Sequence, residues 1–239
     1  MKYFENQIAV ITGASSGIGR ATALALAQQG ANLCLIGRNQ TALDAVADQA
    51  NSYGAQVSRY VADLADDASV QTMLNAIAPL KQIHMLIHSA GTFSMGTLAA
   101  SSLTSLDYQY QVNVRAPYWI TQSLLPKMPT FEAQIVFINS TVGLTARGSV
   151  GQYAASKHAL KAIADSLREE INPQGIRVLS VYPGRTASPM QAQVHALEDK
   201  PYVPENLMQP EDVAASILHT LSLPKTATVT DLRLIPLKK

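Results

Sequence analysis

The sequence predicts an α/β fold, with one domain built on a doubly wound parallel sheet of seven strands and helices on both faces. Short apolar runs rich in β-branched residues alternate with helical patterns along the chain, as in successive βαβ units. Most of these runs are continuously apolar, as strands buried on both faces are. We find no repeat, low-complexity tract or linker. Residues 1–239 are therefore expected to form a single domain, in which right-handed crossovers give the doubly wound topology.

The strands are predicted from short apolar runs such as "QIAVIT", "NLCLIG" and "QIVFIN". The seven runs span residues 7–12, 32–37, 56–61, 83–88, 134–139, 176–182 and 229–235. Helical patterns lie between them, near residues 17–29, 40–53, 67–78, 103–128, 152–172 and 210–222. The segment 188–208, outside these helices, is expected to be a short mobile lid over a fairly open site.

The composition excludes several classes of protein. Hydrophobic residues make up 47% of the 239 residues and charged residues 15%, which argues against disorder. The formal net charge of +1 gives no electrostatic basis for binding nucleic acid or an anionic membrane. No apolar run approaches the roughly 18 residues that span a bilayer, no signal peptide is recognisable, and the single cysteine, Cys34, cannot form an internal disulfide. We expect a cytoplasmic protein with no nucleic-acid partner, no membrane attachment and no metal site.

A glycine-rich stretch, "TGASSGIG", closes the first strand and opens the first helix. Gly13, Gly17 and Gly19 permit a tight turn, close approach of a ligand to the backbone, and close packing of helix on strand. Free N–H groups at the helix N-terminus would then face a phosphate. An ordinary strand-to-helix turn is the alternative, but the position after the first strand favours a dinucleotide site.

The end of the second strand, "LIGRN", predicts which dinucleotide binds. Gly37 and Arg38 stand where dinucleotide sites usually carry an acid for the ribose 2′-OH. An arginine there can pair with a 2′-phosphate instead. The sequence thus favours NADP(H) over NAD(H), a solvated surface arginine being the alternative.

In "GQYAASKHAL", Tyr153 and Lys157 stand four residues apart, on one face of a helix. A tyrosine with its ordinary pKa near 10 is a poor base at pH 7. An ammonium one turn away lowers that pKa and makes the pair a general acid/base. By itself the spacing also fits an amphipathic surface pair.

Two more polar residues, Ser140 and Asn113, lie at positions that indicate a role in a binding site. Ser140 ends the fifth strand, at the carboxyl edge of the sheet, where ligands bind in α/β folds. Asn113 lies inside the long helix 103–128, where asparagine is a poor helix former, and Pro117 follows four residues on. We expect a local distortion with a functional role there, a solvent-facing asparagine being the alternative.

Together these motifs resemble the short-chain dehydrogenase/reductase family, in its single-domain form with a Rossmann fold. "TGASSGIG" matches the family's TGxxxGxG, and "YAASK" matches its YxxxK. Ser140 stands thirteen positions before Tyr153, as in the family, and "NV" at 113–114 matches its helical asparagine motif. "YPGRTASPM" at 182–190 matches the proline-glycine segment after the sixth strand.

The resemblance implies four catalytic residues: Asn113, Ser140, Tyr153 and Lys157. Tyr153 would give and take the proton, and Ser140 would hydrogen-bond the substrate oxygen. Lys157 would lower the pKa of Tyr153 and hold the nicotinamide ribose. Asn113 would anchor a water that passes protons towards Lys157.

The resemblance also implies the contacts with NADP(H), Asp63 lying where the family contacts the adenine. The implied contact residues are Gly13, Ser15, Ser16, Gly17, Ile18, Gly19, Arg38, Asp63, Leu64, Ser89, Ala90, Gly91, Tyr153, Lys157, Pro183, Gly184 and Thr186. Two departures stand out. "HSAG" replaces the usual NNAG, with His88 and Ser89 in place of both asparagines, and Ser188 replaces a threonine near the cofactor amide.

We therefore predict an NADPH-dependent oxidoreductase that interconverts an aldehyde or ketone and its alcohol by hydride transfer. The alternatives are an NAD-dependent alcohol dehydrogenase and a non-catalytic, dinucleotide-sensing binding module. The loops at the carboxyl edge should supply the substrate walls: Phe93, Met95, Leu144, Arg147, Met190, Val194 and His195. Helices 103–128 and 152–172 are apolar on nearly every side, which predicts a homodimer or homotetramer built on them.

Overall fold

Seven parallel strands form one sheet in the computed structural model, which describes residues 2–237. The strand order is β3-β2-β1-β4-β5-β6-β7, so the chain runs outward from β1 in one direction and then reverses at β4. The strands are β1 (Ile8–Thr12), β2 (Asn32–Gly37), β3 (Val57–Val61), β4 (Met85–His88), β5 (Gln134–Ile138), β6 (Arg177–Pro183) and β7 (Asp231–Leu234). The predicted seven-stranded parallel sheet is confirmed.

Helices cover both faces of this sheet, as predicted. They are α1 (Gly17–Gln28), α2 (Gln40–Ser52), α3 (Asp67–Ile77), α4 (Leu103–Tyr110), α5 (Ala116–Leu124), α6 (Gly151–Ile171), α7 (Pro189–Leu197) and α8 (Pro210–Leu221). Ala9 and Ile11 of β1 pack into the core beneath α1, α2 and α8, while Val10 between them packs into the core beneath α3, α5 and α6. Consecutive side chains of one strand thus pack into the cores on opposite faces of the sheet, which explains why the sequences of the strands are continuously apolar.

The long helix predicted over 103–128 is distorted in its middle, as expected around Asn113. A π-helical turn, Gln111–Arg115, separates α4 from α5. Such turns insert one residue into a helix and are frequent at functional sites. Here the insertion accompanies a fully buried asparagine, so the alternative of a solvent-facing Asn113 is wrong.

The segment 188–208 contains the helix α7, which was absent from the predicted helices, whereas the mobile lid stays a prediction. The Ser188 hydroxyl accepts a hydrogen bond from the Gln191 backbone N–H at 3.1 Å, and Pro189 occupies the first helical position. Both are standard helix-start signals. They were present in the sequence as "SPMQ".

The helix α6 is not apolar on every side, contrary to the prediction. His158, Glu169 and Glu170 are exposed on it, whereas Leu160 and Ile171 are buried against the sheet. The other predicted helix, 103–128, does carry an apolar outward surface on α4 and α5, where Leu103 and Tyr118 are exposed. Within residues 2–237, none of the helices has the length and apolar character to span a bilayer.

Candidate active site

A cleft of about 640 Å³ opens at the carboxyl edge of the sheet, where the strand order reverses between β1 and β4. This is the place at which open α/β sheets bind ligands. Its walls come from the glycine turn after β1 and from the segments that follow β2, β3, β4, β5 and β6. Sixteen of the predicted cofactor residues line it: Gly13, Ser15, Ser16, Gly17, Ile18, Arg38, Asp63, Leu64, Ser89, Ala90, Gly91, Tyr153, Lys157, Pro183, Gly184 and Thr186.

At Gly13 and Gly19, the glycine turn leaves no room for a side chain. Gly13 and Gly17 have positive φ angles of 67° and 53°, a backbone conformation that residues with a side chain rarely adopt. A Cβ on Gly13 would lie 2.6 Å from the Ala90 backbone nitrogen, and one on Gly19 would lie 2.3 Å from the Gly13 carbonyl oxygen. Gly19, the remaining predicted cofactor residue, therefore packs beneath the turn instead of lining the cleft.

The N-terminus of α1 fits a phosphate. Within residues 2–237, the Ser16 side chain makes no capping hydrogen bond there, and the first turn carries no acidic residue. The first N–H groups of the helix are thus available to an anion, in the positive end of the helix dipole. With the glycine turn beside them, these groups suit the pyrophosphate of a dinucleotide.

Arg38, which follows β2, lines the cleft together with Asp63 and Leu64, which follow β3. Asp63 shapes the loop after β3, since its carboxylate accepts a hydrogen bond from the Ala65 N–H at 3.0 Å. The Arg38 guanidinium donates a hydrogen bond to the Tyr108 hydroxyl at 2.9 Å. Tyr108 also lines the cleft and was not predicted, because it stands 70 residues away in the sequence and belongs to no motif.

The "HSAG" segment is anchored without the family's asparagines. The Thr12 hydroxyl, at the end of β1, accepts hydrogen bonds from the backbone N–H groups of Ser89 and Ala90, both at 3.2 Å. His88 points into the core instead, where its Nε2 lies 2.8 Å from the Thr121 hydroxyl and its ring stacks on Phe137. Burial lowers the pKa of His88 to about 3, so His88 is a neutral structural residue.

Ser140, Tyr153 and Lys157 meet on one wall of the cleft. Ser140 follows β5, and its side chain lies close enough to the Tyr153 hydroxyl to lower the pKa of Tyr153. The Lys157 ammonium donates to the Ile138 carbonyl oxygen at 2.9 Å and lies 5.8 Å from the centre of the Tyr153 ring. The three residues therefore face one volume large enough for a small substrate.

Asn139 joins the two elements that carry these residues, and the sequence patterns gave no sign of it. Its amide donates to the Lys157 carbonyl oxygen at 3.0 Å, and its side-chain oxygen accepts from the Ser140 N–H at 2.8 Å. A Cβ on Gly143 would lie 2.2 Å from that oxygen. This contact explains why a glycine follows Ser140 at that distance.

The pKa of Tyr153 is shifted in the direction opposite to the predicted one. Burial raises it to about 12, and the nearby Ser140 side chain opposes this only in part. Burial also lowers the pKa of Lys157 to about 8. The Tyr153 hydroxyl is thus protonated at neutral pH, which suits a proton donor.

Asn113 ties three parts of the site together. Its side-chain oxygen accepts from the Thr92 N–H at 2.8 Å, and its amide donates to the Thr92 carbonyl oxygen at 2.9 Å and the Ser156 hydroxyl at 3.0 Å. These bonds fix the loop after β4 against α6, next to Gly91. The predicted role of Asn113 in anchoring a water stays a prediction.

The substrate end of the cleft is partly apolar. Phe93, Met190 and Val194 line it together with Arg147, as predicted, and Phe93 contacts the Tyr153 ring edge-on with 5.0 Å between ring centres. The other predicted wall residues lie outside the lining in the described part of the chain: Met95, Leu144 and His195. His195 is buried against the Tyr202 ring.

Two polar contacts hold the substrate loops, and neither was predicted. The buried Gln109 accepts from the Ser94 N–H at 3.2 Å and donates to Gln152 at 3.1 Å, which fixes the loop 92–97. Arg185 contacts both carboxylate oxygens of Glu198, at 2.6 and 2.8 Å. This ion pair holds the C-terminal end of α7 against the segment after β6. Both contacts join residues 13 or more positions apart in sequence, beyond the reach of the local motifs.

The parallel sheet, the phosphate-binding turn and the Ser–Tyr–Lys group define a dinucleotide-dependent oxidoreductase. A family model described as short chain dehydrogenase matches residues 7–199. The chain therefore belongs to the short-chain dehydrogenase/reductase family.

Two bacterial oxidoreductases are similar to this chain. An oxidoreductase of Staphylococcus epidermidis is 29% identical over 99% of this chain and 100% of its own length. An oxidoreductase of Escherichia coli is 34% identical over 87% of this chain and 83% of its own length.

Solved structures resemble the whole described chain. A short chain dehydrogenase from Burkholderia cenocepacia, in complex with NADP, is 27% identical with a TM-score of 0.85, over 98% of both chains. An alcohol dehydrogenase from Thermococcus sibiricus, complexed with 5-hydroxy-NADP, is 24% identical with a TM-score of 0.87, also over 98% of both chains. The second likeness establishes the fold.

Proposed function

We propose that the protein is an NADPH-dependent reductase of aldehydes or ketones, which also runs in reverse as an alcohol dehydrogenase. The observation that carries the proposal is one cleft that joins a phosphate-binding turn, Arg38 and the Ser140–Tyr153–Lys157 group. A nicotinamide dinucleotide fits the cradle at the α1 N-terminus, and the NADP complex of the Burkholderia relative supports NADP(H).

Each residue of the group has a distinct part in the reaction. When bound, NADPH supplies the hydride that reduces the carbonyl carbon. Tyr153, protonated because burial raises its pKa to about 12, donates its proton to the carbonyl oxygen. Ser140 donates a hydrogen bond to the same oxygen as charge develops on it. The Lys157 ammonium stabilises the phenolate that remains.

The proposed preference for NADP(H) depends on Arg38. At this position an NAD-specific protein normally presents a carboxylate, which would repel a 2′-phosphate, and Gly37 carries none. A charge-assisted hydrogen bond contributes roughly 1.5–3 kcal/mol, or about 10- to 150-fold in affinity. Arg38 is exposed, so screening should bring the effect towards the low end. Ser16 in the glycine turn adds no second charge.

We expect Arg38→Ala to lower the ratio of kcat/KM for NADPH to that for NADH by about tenfold. The measurement follows nicotinamide absorbance with a carbonyl substrate found by screening aldehydes and ketones. Arg147→Ala is the matched control, because it removes an exposed arginine from the substrate end of the same cleft. A parent that favours NADH, or an unchanged ratio in Arg38→Ala, would contradict the preference and favour the NAD-dependent alternative.

We also propose a homodimer or homotetramer that buries the outward surface of α4 and α5. Leu103 and Tyr118 are exposed there, and aromatic side chains are enriched in protein interfaces. Light scattering at micromolar concentration should give a particle of at least twice 25.6 kDa, and Tyr118→Glu should reduce its mass. A parent protein whose particle mass stays at 25.6 kDa would contradict the proposed oligomer.

The cytoplasmic location of the protein stays a prediction.

A further inference from the structure

Tyr108 and Arg38 meet in the part of the cleft that would hold the adenosine of the proposed cofactor. They come from different layers of the fold, since Tyr108 lies on α4 and Arg38 follows β2. The Arg38 Nη1 donates to the Tyr108 hydroxyl at 2.9 Å, and both residues line the cleft. The tyrosine thus fixes one end of a long side chain that is otherwise exposed to solvent.

The rest of the guanidinium stays available. Within residues 2–237, Arg38 forms no ion pair with a carboxylate, whereas Arg59 and Arg115 both do. A guanidinium has five donors in a planar fork. Because one donor is used by a neutral hydroxyl, the remaining donors and the whole positive charge are free for an anion.

Holding a flexible arginine before the ligand arrives reduces the conformational entropy that binding must remove. The benefit applies only to a ligand that contacts the guanidinium. A dinucleotide with a 2′-phosphate makes that contact, whereas one with a free 2′-OH offers the guanidinium no charge.

We propose that Tyr108 is a positioning residue that sets the discrimination between NADP(H) and NAD(H) by holding Arg38 in place for the 2′-phosphate. This inference depends on the proposed NADP(H) preference. Tyr108 acts through Arg38, so its effect disappears when Arg38 is absent.

The test measures dissociation constants of NADP⁺ and NAD⁺ by isothermal titration calorimetry, without substrate. We expect Tyr108→Phe to weaken NADP⁺ binding by about threefold to tenfold and to leave NAD⁺ binding unchanged. Tyr110→Phe is the matched control, because it removes the same atom from a similarly exposed tyrosine outside the cleft lining. The double variant Arg38→Ala/Tyr108→Phe should bind NADP⁺ as weakly as Arg38→Ala alone.

The outcomes separate this inference from the proposed function. If Arg38→Ala weakens NADP⁺ binding but Tyr108→Phe leaves it unchanged or tightens it, the positioning role is wrong and the preference stands. Equal weakening of both nucleotides by Tyr108→Phe, or additive effects in the double variant, would also overturn the positioning role. A parent that binds NAD⁺ more tightly overturns both.

Discussion

Tyr153→Phe is expected to lower kcat for carbonyl reduction by about 10²–10⁴-fold, the usual contribution of general acid catalysis. The substitution removes the hydroxyl that would donate the proton, which is the group whose pKa the nearby Ser140 side chain lowers. It leaves the ring, which packs with Val142, Val150 and Ala154 and against the edge of Phe93. The dissociation constant for NADP⁺ should therefore stay close to that of the parent.

A matched control distinguishes loss of the acid from loss of a buried hydroxyl. Tyr182 is also buried, and burial likewise raises its pKa to about 12, but Tyr182 lies outside the cleft lining in the described chain. Tyr182→Phe should keep parental kcat. Steady-state rates and calorimetric binding of NADP⁺ on both variants make the comparison. If Tyr153→Phe kept half of the parental kcat, the assignment of the proton donor would be wrong.

Features that depend on neighbours in the sequence were predictable. The strands follow from apolar runs, and the phosphate-binding turn follows from three glycines whose spacing and position have a steric reason. A local distortion of the helix 103–128 was anticipated because Asn113 is a poor helix former placed near Pro117, but its π-helical form was not. The helix α7 was missed although Ser188 and Pro189 mark its start, so that error lay in the interpretation.

Features that depend on the three-dimensional surroundings were not predictable. Arg38 and Tyr108 stand 70 residues apart, and their contact requires the loop after β2 and the helix α4 to share one end of the cleft. The direction of the Tyr153 pKa was mispredicted for a related reason. Spacing places Lys157 one turn away, but the burial that raises the Tyr153 pKa comes from every element packed around it.

Lys157→Met is expected to lower kcat by about 10²-fold or more while making the cofactor-free protein more stable at pH 7. The loss of activity follows because no ammonium remains to stabilise the Tyr153 phenolate. The gain in stability follows from burial, which lowers the Lys157 pKa from 10.5 to about 8. At 1.36 kcal/mol per unit, holding that group charged in the folded state costs about 3 kcal/mol.

The expected net gain is smaller, about 2 kcal/mol at pH 7, because the variant also loses the hydrogen bond from Lys157 to the Ile138 carbonyl oxygen. Methionine is unbranched and fills the same apolar space. Urea unfolding at one fixed protein concentration measures the difference. Lys161→Met is the matched control: it lies one turn further along α6, half-buried and paired with Asp165, and should change neither kcat nor stability by much.

The pH dependence identifies the cause. Between about pH 8 and 10.5 the unfolded parent still carries the Lys157 proton, whereas the folded parent has lost it. The unfolded state then binds more protons, so the parent gains stability as the pH rises through this window. Lys157→Met has no amine that titrates in this window, so its free energy of unfolding does not rise in the same way. The excess stability of the variant over the parent should therefore be largest below pH 8 and should disappear towards pH 10.5. A variant less stable than the parent at pH 7, or an advantage that stays constant with pH, would show that burying this ammonium costs the fold little.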